Sequence, residues 1–351
     1  MINFCVPSDF KLESLQLYHS FNLDHPNHQI SEVYGQETVG KFTASGRMIG
    51  ALPTVNLSQL QDYIQQCIKY NINFNYTINP SCIDYSQFSL YDIREYVKQL
   101  YQIGIRHFTV TLPNIIEIVQ SMGSDIYLKA SAICEISSLR KAAHYVKNAA
   151  ARIVVDPDIT KDFRILRSIC DKYADRVEII VNNMCMRDCP YKMFHYNHEA
   201  HSSGSIESQE NRYYHEKCTA QKSSALDNYI KLNWIRPEDL HYYEELGIHY
   251  YKIQGRNHPN GENVYSAVKA YVNGVFEGNL VDLLTLWNPY NVFQPYIDNR
   301  QMDGYLEPFV HKDGFCKGMC QACRYCMSYA EKSINLSEYA KVAEYANKMY
   351  K

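Results

Sequence analysis

The sequence predicts an α/β protein, a (β/α)8 TIM-like barrel with a cysteine-rich C-terminal extension. Eight short runs rich in β-branched and aromatic residues occur along the chain, and amphipathic segments of helical period lie between them. After the eighth run and one further helical segment, the alternation stops in an irregular stretch that leads to four closely spaced cysteines. Such regular alternation is typical of a parallel sheet whose strands are joined by helices.

The predicted strands are Ile2–Val6, Ile30–Tyr34, Ile72–Ile78, His107–Leu112, Ile126–Ala130, Arg152–Val155, Val177–Val181 and His249–Ile253. Among the amphipathic segments, Leu57–Tyr70 and Tyr91–Ile103 are the clearest, and Gly104 ends the second as a helix C-cap would. The predicted barrel domain covers residues 1–278, with an insertion at about 185–230 between the last two strands. Residues 279–351 form the predicted extension, which a helix at Leu336–Met349 closes, with Asn335 or Ser337 as its cap.

Composition places the protein among folded chains of the cytoplasm. Hydrophobic residues make up 46% and charged residues 21% of the 351 residues, as in a folded protein. The N-terminus lacks the basic start and the apolar run of a secretory signal. No stretch approaches the ~18 apolar residues of a membrane span, so no membrane partner is expected. The net charge of -3 does not indicate nucleic acid as a partner, although a local basic patch could bind it.

Cysteines follow the seventh predicted strand. Cys185 and Cys189 come just after it, and Cys218 follows in the insertion. Thiolates beyond a buried strand suit a soft metal or an iron-sulfur cluster, although three unrelated core cysteines are the alternative. The fourth ligand could be Cys82 at the end of the third strand or a cysteine of the C-terminal group, or the position could stay open for substrate.

A second cysteine group has the spacing C-x3-C-x2-C-x2-C and consists of Cys316, Cys320, Cys323 and Cys326. Four thiols within eleven residues can hold a 4Fe-4S cluster or zinc with few other contributions. We therefore expect one or two 4Fe-4S clusters, with zinc as the alternative. Cys67 and Cys170 lie in helical patterns and are predicted to be core residues.

Polar residues after the predicted strands suggest a substrate site. His195, His198 and His201 are spaced three apart, as metal ligands, acid/base groups or residues of a solvated loop. Lys252 and Arg256 lie at the end of the eighth predicted strand, where they could clamp an anionic substrate or simply form salt bridges. We take His195, Lys252, Arg256 and Asn79 as candidate catalytic residues, and Arg47 and Asn183 as candidate cofactor-binding residues.

Two peptidase signatures are missing from the sequence. It contains no Gly-x-Ser-x-Gly elbow and no His-Glu-x-x-His, so the local motifs of serine and zinc peptidases give no support to either chemistry.

Several segments together resemble a known family. The stretch Asn182-Asn-Met-Cys185, the later Cys218, Trp234-Ile-Arg-Pro-Glu-Asp239 and Tyr250-Tyr-Lys-Ile-Gln-Gly-Arg256 are similar to the collagenase-like peptidase family U32. The resemblance covers roughly residues 1–275. Gln254 stands where members usually carry glutamate, and the C-terminal cysteine group lies outside the pattern of the better-known members.

The resemblance implies a barrel with a cysteine-bound 4Fe-4S cluster at its mouth, held by Cys185, Cys189 and Cys218, with Lys252 and Arg256 near the substrate. It also implies either O2-independent hydroxylation of RNA bases or a quinone precursor, with prephenate as oxygen donor, or peptidase activity. We favour the hydroxylation or redox enzyme, acting on an anionic or RNA/cofactor-type substrate. The alternatives are a U32-type peptidase and a non-catalytic electron-transfer or scaffold subunit that pairs with a homologous or redox partner.

Overall fold

Eight parallel strands form a closed barrel in chain order. The structure, a computed structural model, describes residues 1–40, 42–203, 213–288 and 294–349. The strands are β1 (Ile2–Pro7), β2 (His28–Gly35), β3 (Asn73–Ile78), β4 (His107–Val110), β5 (Tyr127–Ala130), β6 (Arg152–Val154), β7 (Val177–Ile180) and β8 (Tyr250–Lys252). Pairing of Asn3 with Tyr250 and of Cys5 with Lys252 joins β1 to β8 and closes the sheet. The predicted barrel is confirmed, and each of the eight predicted runs overlaps a strand.

Helices alternate with the strands and cover the outside of the barrel. They are α1 (Leu12–Asp24), α2 (Leu57–Lys69), α3 (Leu90–Gln102), α4 (Pro113–Gln120), α5 (Leu139–Lys147), α6 (Phe163–Tyr173), α7 (Lys192–Ser202), α8 (Tyr213–Ser223), α9 (His241–Glu244), α10 (Gly261–Asn273), α11 (Leu280–Leu284), α12 (Glu307–His311), α13 (Tyr325–Ser333) and α14 (Leu336–Met349). α7 and α8 both lie between β7 and β8. Among the described residues, no helix is long and apolar enough to cross a bilayer.

Local sequence explains where the clearest helices begin and end. Capping boxes start α2 at Asn56 and α3 at Ser89, because each cap side chain and the third helical residue satisfy one another's backbone N–H groups. Gly104, with φ of 104°, turns the chain after α3, a conformation that side chains with a Cβ rarely adopt. Cys67 in α2 and Cys170 in α6 are buried, as predicted.

The barrel interior contains a buried charge network as well as apolar side chains. Lys129 on β5 donates to Glu32 on β2 at 2.5 Å and to Glu178 on β7 at 2.6 Å, and all three are almost fully buried. Cys5 on β1 donates from its thiol to Glu32 at 2.9 Å. Opposite charges inside the barrel thus connect strands on different sides of it. The positive charge of Lys129 also lowers the pKa of Lys252 on β8.

The C-terminal extension packs back on the barrel domain. α14 lies against α8, where Tyr339 donates its hydroxyl to the Ser223 carbonyl at 2.9 Å. The helix has the bounds predicted from the sequence, and the side chain of Asn335 accepts from the backbone of Ser337 and Glu338 at its start. The extension therefore supports the helix that contains Cys218.

Candidate functional site

A cavity of about 540 Å³ lies at the carboxyl ends of the strands, where TIM-barrel enzymes carry their chemistry. The residues predicted from the sequence that line it are Arg47, Asn79, Asn183, Cys185, Cys189, His195, Cys218, Lys252 and Arg256. Glu199, His215 and Tyr34 also line it. The cavity thus joins loops that are far apart in the chain, and it contains cations, thiols, imidazoles and one carboxylate.

The guanidinium group of Arg256 links several of the loops and strand ends around the cavity. It donates hydrogen bonds to Thr77 Oγ1 (2.6 Å), Gln36 Oε1 (2.8 Å), Ser45 Oγ (3.2 Å) and Asn79 Oδ1 (3.2 Å). Burial and the neighbouring charge of Arg47 lower the pKa of Arg256 to about 10. Because all four acceptors are neutral, the positive charge of the buried group remains available to attract an anion in the cavity.

Gly46 lets the loop after β2 pass close to the end of β3. A Cβ at this position would come within 2.9 Å of the Asn79 carbonyl oxygen and 2.6 Å of Ile133. The backbone N–H of Gly46 donates to Asn79 Oδ1 at 3.2 Å. This close approach places the next residue, Arg47, at the cavity, where its guanidinium donates to the Gly46 carbonyl at 2.8 Å.

Gln254 joins the β8 end to the cysteine loop. Its backbone N–H donates to Asn182 Oδ1 at 2.8 Å, and its side-chain amide donates to the Asn182 carbonyl at 3.3 Å. Its side-chain oxygen accepts from Asn183 at 3.2 Å, and Asn183 in turn accepts from the backbone N–H of Cys185. A glutamate could not donate to the Asn182 carbonyl, so the glutamine found here suits the amide network that positions the Cys185 loop.

Lys252 ends β8 with its amine at the cavity. The Nζ atom lies 3.9 Å from the centroid of the Tyr34 ring, and the residue is buried. Burial, reinforced by the charge of Lys129, lowers the pKa of Lys252 below its ordinary value, although Cys5 and the interior carboxylates oppose the effect. A lowered pKa favours the neutral amine of Lys252, which is the form that a general base needs.

Three cysteines share one side of the cavity. Burial raises the pKa of the Cys185 and Cys189 thiols, and the nearby Cys218 raises both further because thiolates repel one another. In the absence of a metal these thiols therefore stay protonated. Three thiols that face one pocket from the loop after β7 and from α8 fit a soft metal or an iron-sulfur cluster as donors, with one position left for another ligand.

α7 is fixed at both ends, which gives its cavity face a defined position. At its start, Lys192 lies 3.0 Å from Asp156 and 2.8 Å from Asp158, in the loop after β6. Just beyond its end, Ser203 accepts from the backbone N–H of Ser45 at 2.9 Å and from Thr43 through its carbonyl at 2.8 Å. Both anchors tie α7 to loops at the barrel mouth.

His195, Glu199 and His215 bring three potential metal ligands together. Glu199 Oε1 lies 3.3 Å from His195 Nε2 and 3.1 Å from His215 Nε2, and all three ligand atoms lie within 4.8 Å of one another. In a tetrahedral zinc site, metal-ligand distances of about 2.0–2.2 Å put neighbouring donors about 3.3–3.5 Å apart. The spacing of these atoms is therefore close to that around a single ion.

The contacts of Glu199 are compatible with coordination of an ion. In the described part of the chain, neither His195 Nε2 nor Glu199 Oε1 has a partner in hydrogen-bond geometry, although both are buried and close. The other carboxylate oxygen, Oε2, accepts from the backbone N–H of Met48 at 3.1 Å, which fixes the orientation of the carboxylate. Burial opposes ionisation, but contacts with His195 and His215 and the charge of Arg47 outweigh it and lower the pKa of Glu199.

Cys82 is placed away from the three mouth cysteines. Its sulfur lies 3.5 Å from His201 Nε2, and it lines a separate small cavity of about 70 Å³. Burial raises the pKa of the Cys82 thiol, so the pair is not an activated thiolate. Cys82 as the fourth ligand of the mouth cysteines stays a prediction, and so does a ligand from the C-terminal cysteines, which lie outside both cavities.

The residues missed by sequence reasoning are Glu199 and His215. His195 and Glu199 are four apart and so share one face of α7, whereas His195 and His201 lie about 120° apart around the helix. The i, i+4 spacing was readable in the sequence. The pairing with His215 was not, because it depends on how α8 lies against α7.

The fold and the position of the cavity define a TIM-barrel protein with its functional site at the carboxyl ends of the strands. Residues 39–278 match the sequence model of Peptidase family U32, and the chain belongs to this family. A relative described as an uncharacterized protease from Methanocaldococcus jannaschii is 28% identical over 96% of this chain and 99% of its own length. A solved U32 peptidase structure aligns with a TM-score of 0.50 at 14% identity, covering 72% of this chain and 92% of that one, which supports the fold.

Proposed function

We propose that the protein is a metal-dependent hydrolase that cleaves peptide bonds in the mouth cavity. The observation that carries the proposal is the convergence of His195, Glu199 and His215 at distances suited to one divalent ion. Two imidazoles and a carboxylate are a catalytic zinc set, and the same set also serves Fe(II). The peptidase description of the family and of the relative favours hydrolysis over iron chemistry.

The chain's own residues have distinct roles in this proposal. His195, Glu199 and His215 would hold the ion, which would supply an acidic bound water for attack on the peptide carbonyl. Lys252, with its lowered pKa, would take up the proton that this attack releases. Arg47 lines the same cavity and would stabilise the negative charge that develops on the carbonyl oxygen.

A second candidate is the O2-independent hydroxylation or redox enzyme that the family resemblance implies. It is favoured by the three cysteines, Cys185, Cys189 and Cys218, which line the same cavity as Arg256 and Lys252. A 4Fe-4S cluster held by these thiols would supply one-electron chemistry beside a cationic substrate site. For that reaction Arg256 and Lys252 would attract an anionic substrate and Asn79 would help to orient it.

The test is cleavage of fluorogenic peptides and gelatin by protein purified without oxygen. We expect cleavage that a chelator abolishes and that Zn²⁺, Mn²⁺ or Co²⁺ restores. Glu199→Gln should lose more than about 100-fold in activity, because one ligand of three is weakened. Glu117→Gln, at an exposed glutamate of α4, is the matched control and should cleave normally.

Two results would overturn the hydrolase. One is cleavage that neither the chelator nor Glu199→Gln affects, which would place the reaction elsewhere. The other is folded protein that cleaves nothing with any of these ions. In that case, iron with acid-labile sulfide, lost together in Cys185→Ser, would support the redox enzyme.

A further inference from the structure

The tail cysteines Cys316, Cys320, Cys323 and Cys326 lie outside the mouth cavity, on the loop between α12 and α13 and at the start of α13. The first three are exposed, and Cys326 is partly buried. Gly314 and Gly318 bracket Cys316 with φ of 66° and 71°, and a Cβ at either would meet nothing within 4 Å. The loop therefore turns sharply in open space, where its sulfurs can gather without displacing other groups.

A buried cation lies beneath this group. Lys161 is 7% exposed and donates from Nζ to the carbonyls of Leu232 (2.7 Å) and Ile230 (3.1 Å). Its ammonium also lies 4.4 Å from the Trp234 ring and 5.0 Å from the Tyr305 ring. None of the ion pairs among the described residues includes Lys161, and Asp239 is the carboxylate that acts on it electrostatically.

Cys326 opposes the effect of desolvation on the pKa of this cation most strongly, followed by the carboxylate of Asp239. Burial lowers the pKa of Lys161 to about 8, and the largest opposing effect comes from Cys326, with Cys316 contributing as well. Asp239 also faces Lys161 electrostatically, and Arg187 is a neighbouring cation. Lys231, which is paired with Asp227, lies near Cys320 and Cys326.

Tyr305 connects the cation to the sulfur group. Its hydroxyl lies 3.5 Å from Cys326 Sγ and donates to the Ile230 carbonyl at 3.1 Å, the same carbonyl that Lys161 bonds. Phe315 and Tyr325 pack with ring centroids 5.0 Å apart below the loop. The base of the loop is therefore aromatic, with the Tyr305 hydroxyl at Cys326 and the Lys161 ammonium bonded to the adjoining Ile230 carbonyl.

We propose that the tail cysteines bind a second metal centre as four thiolates, with Lys161 balancing its negative charge. Zinc with four thiolates and an oxidised 4Fe-4S cluster with four thiolates both carry a net charge of about -2, so either would add negative charge near a buried lysine that forms no ion pair among the described residues. This centre is independent of the mouth cavity and of the reaction proposed there.

The test begins on the wild-type chain, where folding of a variant is not at issue. Protein purified without oxygen is treated with iodoacetamide and the modified cysteines are mapped by mass spectrometry. We expect Cys316, Cys320 and Cys323 to resist alkylation although they are exposed, and to react at least tenfold faster after a chelator and mild acid. Rapid alkylation before metal removal would overturn the proposal.

Metal content then identifies the centre. The double variant Cys320→Ser/Cys323→Ser should lose either one zinc or four irons with matching sulfide per chain relative to wild type. Ala322→Ser, which adds a hydroxyl in the same loop and removes no thiol, should keep the full content. Zinc loss identifies a zinc site and iron-sulfide loss identifies a cluster, whereas equal metal in wild type and double variant would contradict the site. Lys161→Met should weaken retention of the metal against a competing chelator about tenfold.

Discussion

Replacing Lys129 by methionine should destabilise the barrel strongly. The substitution keeps the length of the side chain but removes the ammonium that bonds Glu32 at 2.5 Å and Glu178 at 2.6 Å. Both carboxylates are almost fully buried. Among the described residues, the other cationic side chains near them are His107, 3.4 Å from Glu32, and Arg152, 3.9 Å from Glu178, while Cys5 and Asn75 add hydrogen bonds to Glu32 without a positive charge. Breaking a buried pair by removing one partner typically costs about 3–5 kcal/mol, because an uncompensated charge stays behind.

We therefore expect Lys129→Met to lose about 3–5 kcal/mol of unfolding free energy in urea at pH 7. For a chain of 351 residues, with an unfolding entropy of about 2.1 cal/mol/K per residue, this is a drop of roughly 4–7 °C in Tm. The triple variant Lys129→Met/Glu32→Gln/Glu178→Gln should recover most of the loss, since no net charge remains buried. A loss below about 1 kcal/mol for Lys129→Met, or no recovery in the triple variant, would refute the network as a charge-balanced unit.

Three other predictions concern the mouth and its support. Lys252→Met should lower peptide cleavage about 100-fold or more, because a general base is lost, while the metal content stays unchanged. Cleavage by this variant at the wild-type rate would show that Lys252 takes no part in the reaction. Asn182→Ala should lower the free energy of unfolding in urea by about 2–3 kcal/mol, because the hydrogen bonds of its side-chain amide with Gln254 and Leu284 are buried. A change within about 0.5 kcal/mol, which is typical of an ordinary surface substitution, would contradict this. Burial raises the pKa of Asp239 above its ordinary value, to about 6, so the folded state binds the extra proton. Stability should therefore fall by about 2–3 kcal/mol as pH rises through this window. Asp239→Asn should flatten that part of the urea-derived pH profile, and an unchanged profile would count against it.

The barrel was predictable because its strands are buried on both faces. Such strands appear in the sequence as continuous β-branched and aromatic runs, as in Val177–Ile180, every residue of which is buried. Boundaries were less exact. The run starting at His107 was predicted to end at Leu112, but β4 ends at Val110, because Pro113 begins α4 and Leu112 is its N-cap.

The mouth could be predicted in part. Residues at or just beyond the ends of strands, such as Asn79, Asn183, Lys252 and Arg256, do line one cavity, because the carboxyl ends of parallel strands meet at one face. Glu199 was missed because nothing in the sequence distinguishes it from the other acidic residues. Its position at the cavity becomes visible only in the structure, where Lys192 anchors α7. Its relation to His215 depends on packing between two helices of the insertion, which spacing along the chain does not encode.

The position of Gln254 also depends on tertiary contacts. From the sequence it is only a departure from the usual glutamate of the family box. In the fold, the side-chain amide of Gln254 forms hydrogen bonds with Asn182 and Asn183, and Asn183 in turn accepts from the backbone of Cys185. These hydrogen bonds position the Cys185 loop. We expect the loss of charge at this position to be offset by hydrogen bonds that a carboxylate could not donate.

The most direct measurement is a Mn²⁺ binding titration followed by electron paramagnetic resonance, with peptide cleavage measured in the same samples. Mn²⁺ prefers oxygen and nitrogen donors to thiolates, so it reports on His195, Glu199 and His215 and not on the cysteines. We expect one ion per chain for wild type and for Glu117→Gln, and affinity more than about 100-fold weaker for Glu199→Gln, with cleavage lost in parallel. Equal Mn²⁺ binding by wild type and Glu199→Gln, with folded protein in both, would contradict a catalytic metal at this site.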